Sequence, residues 1–228
     1  MISVKNIILG ALLGYVIILG VRSYANQKLD IVQVEITKDG LMPTDIDPGN
    51  FWVTEDSEVT VLPDNETILI TGPIEESTAK KFKSLLTDKI KLVAISSPGG
   101  EVVSSVAISA EIYKRHIDTL VPDGAECFSG CTIIFQAGAR RFAYENSMFA
   151  YHSAKAKLKN GQEQVSVYGT SIYWAYLLLY DIEPKIFDVM TDMQTDYFIT
   201  ATTSKEYNIV TDLILVDEKS DLVHTVTS

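Results

Sequence analysis

Thr67-Ile68-Leu69-Ile70-Thr71-Gly72-Pro73 and, further along, Lys91-Leu92-Val93-Ala94-Ile95-Ser96-Ser97-Pro98-Gly99-Gly100 decide the fold class. Each is a short β-branched or aliphatic run stopped by a Gly/Pro turn, the pattern of a buried strand. Between them, Glu75 to Thr87 carries Ala79, Phe82, Leu85 and Leu86 at helical spacing, and Val102 to Arg115 after Gly100 reads as an amphipathic helix. Thr119 to Val121 is a further strand. A small-residue loop at Gly124 then leads through Cys127 into a helix from about Ser129 to Ala137. Arg141 to Tyr144 and Met148 to His152 read as strands around an Glu145-Asn146 turn, and Val165 to Met193 as helical, broken near Pro184. Strand and helix in alternation predict an α/β fold with largely parallel pairing.

The first 26 residues differ from the rest. Lys5 precedes an apolar or small run of 15 residues, Ile7 to Val21, followed by Arg22 and the small-x-small Ser23-Tyr24-Ala25. That order predicts export, by a cleaved signal peptide or by a retained N-terminal anchor, since a full span needs about 20 residues and flanking residues can snorkel. Residues 27–66 are acidic and broken by Pro43, Gly49 and Pro63. With alternation at Ile31 to Ile36 and Val59 to Leu62, they read as a tether and an edge hairpin. Residues 67–217 form the α/β domain and 218–228 a polar tail.

Lys and Arg number 19 against 30 Asp and Glu, a formal charge of -11, so the surface repels phosphate backbones and nucleic acid is not an expected partner. No phosphate-binding loop is present. In an exported chain Cys127 and Cys131 meet conditions that permit disulfides. If both were helical their Cα atoms would lie roughly 6.2 Å apart, within bridging range. A bridge that clamps the turn and a pair of free thiols in the core are both open.

The landmarks, in order, resemble the Clp protease proteolytic subunit and its membrane-associated relatives in the crotonase-like superfamily. They are Leu69-Ile70-Thr71-Gly72-Pro73-Ile74, Ser97-Pro98-Gly99-Gly100, the turn at Ser129, the strand end at His152, Asp196-Tyr197-Phe198-Ile199-Thr200-Ala201, and Glu206 to Asp212. The resemblance implies repeated ββα units around a largely parallel core sheet, a serine endopeptidase-like activity without cofactor or metal, and a homo-oligomer. It makes Ser129 the nucleophile, His152 its base, Asp196 the orienting acid, and the Gly100 and Gly130 amides the oxyanion donors.

The residues can be weighed beside that resemblance. Ser129 precedes an apolar helix, which suits a nucleophile at a strand-to-helix turn and equally an ordinary N-cap. Of three histidines, His116 sits among Lys114, Arg115 and Asp118 at a helix end and His224 in the polar tail, whereas His152 closes an apolar strand. Asp192 could share a helix face with Asp196, so the acid stays open between them. A Ser–Lys dyad through Lys155 or Lys157 is disfavoured, because Lys155 to Gln164 reads as exposed. Phe128 is a bulky departure from the small residues the family places before its serine.

Taken together, the expectation is an ATP-independent peptidase acting outside the cytoplasm on unfolded, short or membrane-derived polypeptides, with no ATPase partner. The alternative is an inactive binding or scaffold protein that keeps the fold.

Overall fold

The computed structural model describes residues 56–157, 161–189, 196–216 and 223–227, all within one compact unit. β1 (Glu58–Val61) and β2 (Thr67–Thr71) lead to α1 (Glu76–Leu85), β3 (Leu92–Ser96) and α2 (Val102–Arg115). β4 (Asp118–Val121) and β5 (Glu126–Phe128) precede α3 (Gly130–Gln136), β6 (Arg141–Tyr144), β7 (Met148–Tyr151), β8 (Lys155–Lys157) and β9 (Glu163–Val165). Then follow α4 (Val167–Leu179), α5 (Ile186–Val189), β10 (Tyr197–Thr200), α6 (Ala201–Ser204), a 3-10 turn (Lys205–Tyr207), β11 (Asp212–Val216) and β12 (Val223–Thr227).

The main sheet has 7 strands in the order β1-β2-β3-β4-β6-β11-β12. Neighbours from β2 to β11 are parallel, and β1 and β12 close the two edges antiparallel. The α/β class with a largely parallel core is therefore observed. β2 is buried along its whole length, and β3 from Val93 on, which is why both read as unbroken apolar runs. Ile68, Ile70, Val93 and Ile95 share one core with Phe82 of α1, Ile108 and Ile112 of α2, and Ile133 to Phe135 of α3. Leu69, Ala94, Leu120, Phe142, Tyr144 and Ile214 form a second, smaller cluster. His116 ends α2 in the left-handed region (φ 54°), its N–H on the Ile112 carbonyl, so its place is that of a helix terminator.

Several elements differ from expectation. The strand expected at Val59 to Leu62 is β1, and its hairpin partner is β2. Val223–Thr227, within the stretch read as a polar tail, pairs with β11. The helix breaks around Pro184 into α4 and α5, as expected, whereas the polar run after Lys155 forms the β8–β9 hairpin. Residues 1–55 and Asp192 lie outside the described residues. Among the described residues no helix is long and apolar enough to cross a membrane.

A second, 3-stranded sheet positions the candidate site, in the order β10-β7-β5. The chain reaches it directly from the main sheet. Ser97, just past β3, accepts the Phe128 N–H at 3.0 Å on its carbonyl and gives its own N–H to Glu126 at 2.8 Å. Along this sheet the faces alternate: Cys127, Phe149, Tyr151 and Ile199 are buried in the core, while Met148 and Phe198 are exposed.

Candidate active site

Ser129 stands between β5 and α3, the strand-to-helix junction its sequence suggests. Its backbone is at φ 51°, ψ -122°, a conformation an L-residue adopts only at a cost of about 1–3 kcal/mol, unlike an ordinary N-cap with extended torsions. Main-chain ties hold it there. The Ser129 N–H donates to the Ala150 carbonyl of β7 at 2.8 Å, and its carbonyl accepts from the Thr132 N–H at 2.9 Å. The Thr132 hydroxyl also donates to that carbonyl, at 2.6 Å. Since its one hydrogen is used there, Tyr173 of α4 donates its hydroxyl to Thr132 Oγ1 at 2.7 Å. Burial pushes the Tyr173 hydroxyl well up, which keeps it protonated and a donor. Thr132 and Tyr173 had no signal in the sequence, because each sits inside an apolar helix.

Cys127 and Cys131 form a disulfide across this turn, with Cα atoms 5.2 Å apart. That separation differs from the helical estimate because Cys127 lies within β5, the chain turns sharply at Ser129, and only Cys131 is helical. Phe128 neither enters the core nor stands free. It packs edge-on against Phe198 with ring centroids 5.6 Å apart, and Ala150 is the register partner of both.

The Gly99-Gly100 turn is folded onto Ser129. A Cβ on Gly99 would lie 2.7 Å from Ser129 Cβ and 2.9 Å from the Gly130 nitrogen, and its φ of 93° also excludes one. Ser97 braces this turn, accepting the Gly99 N–H at 3.0 Å and donating its hydroxyl to Gly72 at 2.6 Å. Ile74 is bridged in parallel to Gly100 through its neighbours: the Ile74 N–H goes to the Gly99 carbonyl, and the Glu101 N–H to the Ile74 carbonyl, both at 2.8 Å. In such a bridge the central residue turns its own N–H away from the partner strand. Gly100 therefore directs its amide away from Ile74, and a Cβ on Gly130 would lie 3.4 Å from that nitrogen. Gly130, at the first position of α3, has an N–H that no preceding helical turn can accept. The Gly100 and Gly130 amides are thus neighbours at the serine turn.

His152 follows β7 and is partly buried. Its Nδ1 lies 2.8 Å from the Ser153 carbonyl, which can only accept, so Nδ1 carries the proton and Nε2 the lone pair. The pairing of β10 with β7 runs from Thr200 opposite Met148 to Tyr197 opposite Tyr151, and Asp196 and His152 each lie one residue beyond that last pair. Asp196 is exposed there, and the bond to Nδ1 is made by Ser153. Lys155 is exposed on β8, as a solvated lysine would be. Among the described residues no group of His, Cys, Asp and Glu could hold a metal ion.

The arrangement therefore offers a hydroxyl at a sharp turn, two backbone donors beside it, and an imidazole whose Nδ1 is held by the Ser153 carbonyl. A family model for Clp protease matches residues 54–217. The ATP-dependent Clp protease proteolytic subunit 1 of Bacillus cereus is 29% identical over 126 residues, 51% of this chain and 64% of that protein, so the chain spans less than two thirds of this relative. Among solved structures, ClpP1 from Listeria monocytogenes superposes with a TM-score of 0.52 at 19% identity, covering 70% of this chain and 96% of the other. A membrane-bound stomatin-specific protease gives a TM-score of 0.51 at 16% identity, covering 67% and 79%.

Proposed function

The chain belongs to the Clp protease family, and from that premise we propose that it is a serine peptidase whose nucleophile is Ser129. Ser129 Oγ attacks the carbonyl carbon of a peptide bond while His152 Nε2 takes its proton. The oxyanion that forms is held by the Gly100 and Gly130 amides, donors each worth about 100- to 1,000-fold in rate. His152 then hands the proton to the departing amine, and water repeats the sequence on the acyl-enzyme. Asp196, one residue beyond the last β10–β7 pair, supports the imidazolium. The observation that carries this reading is the positive φ of Ser129 beside the turned-out Gly100 amide, because a capping serine needs neither.

Polypeptides are the substrates of this reading. We place its action outside the cytoplasm, without an ATPase, on chains already unfolded, short or membrane-derived. The apolar run Ile7 to Val21 and the Cys127–Cys131 disulfide support that placement. Assembly as a homo-oligomer follows the family.

A fluorophosphonate probe tests the reading. The wild type is expected to be labelled at Ser129 and the Ser129→Ala variant not at all; equal labelling of both would sink it. The second reading, an inactive scaffold, is favoured by one observation, the commitment of His152 Nδ1 to the Ser153 carbonyl instead of Asp196. It expects no labelling of either protein.

A further inference from the structure

The disulfide closes the smallest part of the chain that contains Ser129: Cys127, Phe128, Ser129, Gly130 and Cys131. Its two ends are anchored differently. Cys127 is paired with Phe149 in β7 and bridged to Ser97 after β3, so it belongs to the sheet. Cys131 belongs to the first turn of α3. Between these anchors Ser129 holds φ 51°, which its side chain opposes, and Gly130 presents the second backbone donor. Without the bond, the start of α3 is free to shift from β5. Ser129 can then relax toward the extended torsions that a capping serine prefers, and the Gly130 amide turns with it.

We propose that Cys127 and Cys131 are positioning residues: their disulfide holds Ser129 and the Gly130 amide in attacking geometry, so that the proposed peptidase is active only in its oxidised form. The inference rests on the assignment of Ser129 as nucleophile. Both cysteines are fully buried, so a reductant reaches them through local opening of the turn. The exchange is balanced by a dithiol, which becomes a cyclic disulfide as Cys127 and Cys131 each regain a thiol. A chain kept in a reducing compartment would fold but stay latent.

The test compares the wild type, purified under oxidising conditions, with Cys127→Ala/Cys131→Ala. The fluorophosphonate labelling rate, peptide kcat and KM, and the melting curve are measured on the full chain. Labelling and kcat are expected to fall about 10- to 100-fold in the double variant, the scale of a small displacement of reacting groups, with KM within about twofold and the protein folded at the assay temperature. A role confined to stability would move the melting curve and leave kcat of the folded protein alone. Where the double variant does not fold, the wild type is reduced with dithiothreitol in mild urea, returned to buffer and reoxidised with oxidised glutathione. Activity is expected to fall about 10- to 100-fold on reduction and to return with the bond. Wild-type labelling rates in the folded double variant, or two free thiols in the oxidised and active wild type, overturn the inference alone. An unlabelled wild type overturns the Ser129 assignment as well.

Discussion

The Ser129 N–H donates to the Ala150 carbonyl at 2.8 Å, which ties the serine turn to β7 just before that strand delivers His152. Ser129 and His152 are thereby referred to one strand. Loss of either side chain is expected to lower peptide hydrolysis by about 10,000-fold or more, measured as kcat in Ser129→Ala and His152→Ala. The same turn should show a cost of function. Ser129→Gly relieves the φ of 51° and is expected to be about 1 kcal/mol more stable than Ser129→Ala by chemical denaturation. Equal stabilities would show that the turn stores no strain.

Tyr173 and Thr132 form a chain of hydrogen bonds onto the Ser129 carbonyl, and the two links are not equivalent. Tyr173→Phe removes one donor and is expected to cost about 1 kcal/mol. Thr132→Val removes the hydroxyl between them and leaves the buried Tyr173 hydroxyl without that partner, so a loss of up to about 3 kcal/mol is expected. Urea denaturation of both variants checks the order, and a Tyr173→Phe that costs more than Thr132→Val contradicts it.

Asp196 and His152 each lie one residue beyond the last β10–β7 pair, while Nδ1 is already bonded to the Ser153 carbonyl. Asp196→Asn therefore leaves the tautomer intact and removes only charge beside the imidazolium. Its expected loss in kcat is about 10- to 100-fold, well under the roughly 10,000-fold seen where the acid alone fixes the imidazole. Steady-state kinetics at neutral pH decide it, and a loss of the larger size means that Asp196 replaces Ser153 when substrate binds.

Asp118, at the start of β4, has its carboxyl pushed above the ordinary value by burial, against the opposing Arg140 N–H that it accepts at 2.9 Å and the Arg140 charge. Above the unfolded value of 3.8, the folded chain keeps a proton that the unfolded chain has released. Its contribution to stability is therefore present at low pH and is lost as pH rises through the folded value. Asp118→Asn keeps an acceptor for Arg140 and no buried charge. It is expected to melt higher than the wild type at pH 7, with the difference shrinking toward pH 4. A variant that melts lower at pH 7 would show that the Arg140 charge outweighs burial.

The parallel core was legible because its strands are buried along most of their length and so appear as continuous apolar runs. Leu92–Ser96 and the helix Val102–Arg115 fall where those runs and their spacing put them. The β8–β9 hairpin was not legible, since Glu163 and Gln164 are exposed and polar residues carry no burial period. Ser129 was singled out only by the order of the landmarks around it. Its torsion depends on contacts from β7, α3 and the Gly99 turn, which lie far apart in sequence. The pairing of Cys127 with Cys131 was left open for a related reason: their separation depends on where β5 stops and α3 starts, the least readable feature of a sequence. Asp196 was placed by likeness, and its position just beyond the last β10–β7 pair depends on strand register, a long-range property.

The alternation along β7 separates two kinds of inheritance. Phe149 and Tyr151 answer to the core, whereas Met148 and Ala150 answer to the outer face shared with Phe128 and Phe198. A lineage can therefore vary the outer positions without rebuilding the scaffold, and repack the inner ones without altering the exposed face. Substitutions at Met148, Phe128 and Phe198, with Phe149 and Tyr151 held fixed, change that face and leave the core of the sheet in place.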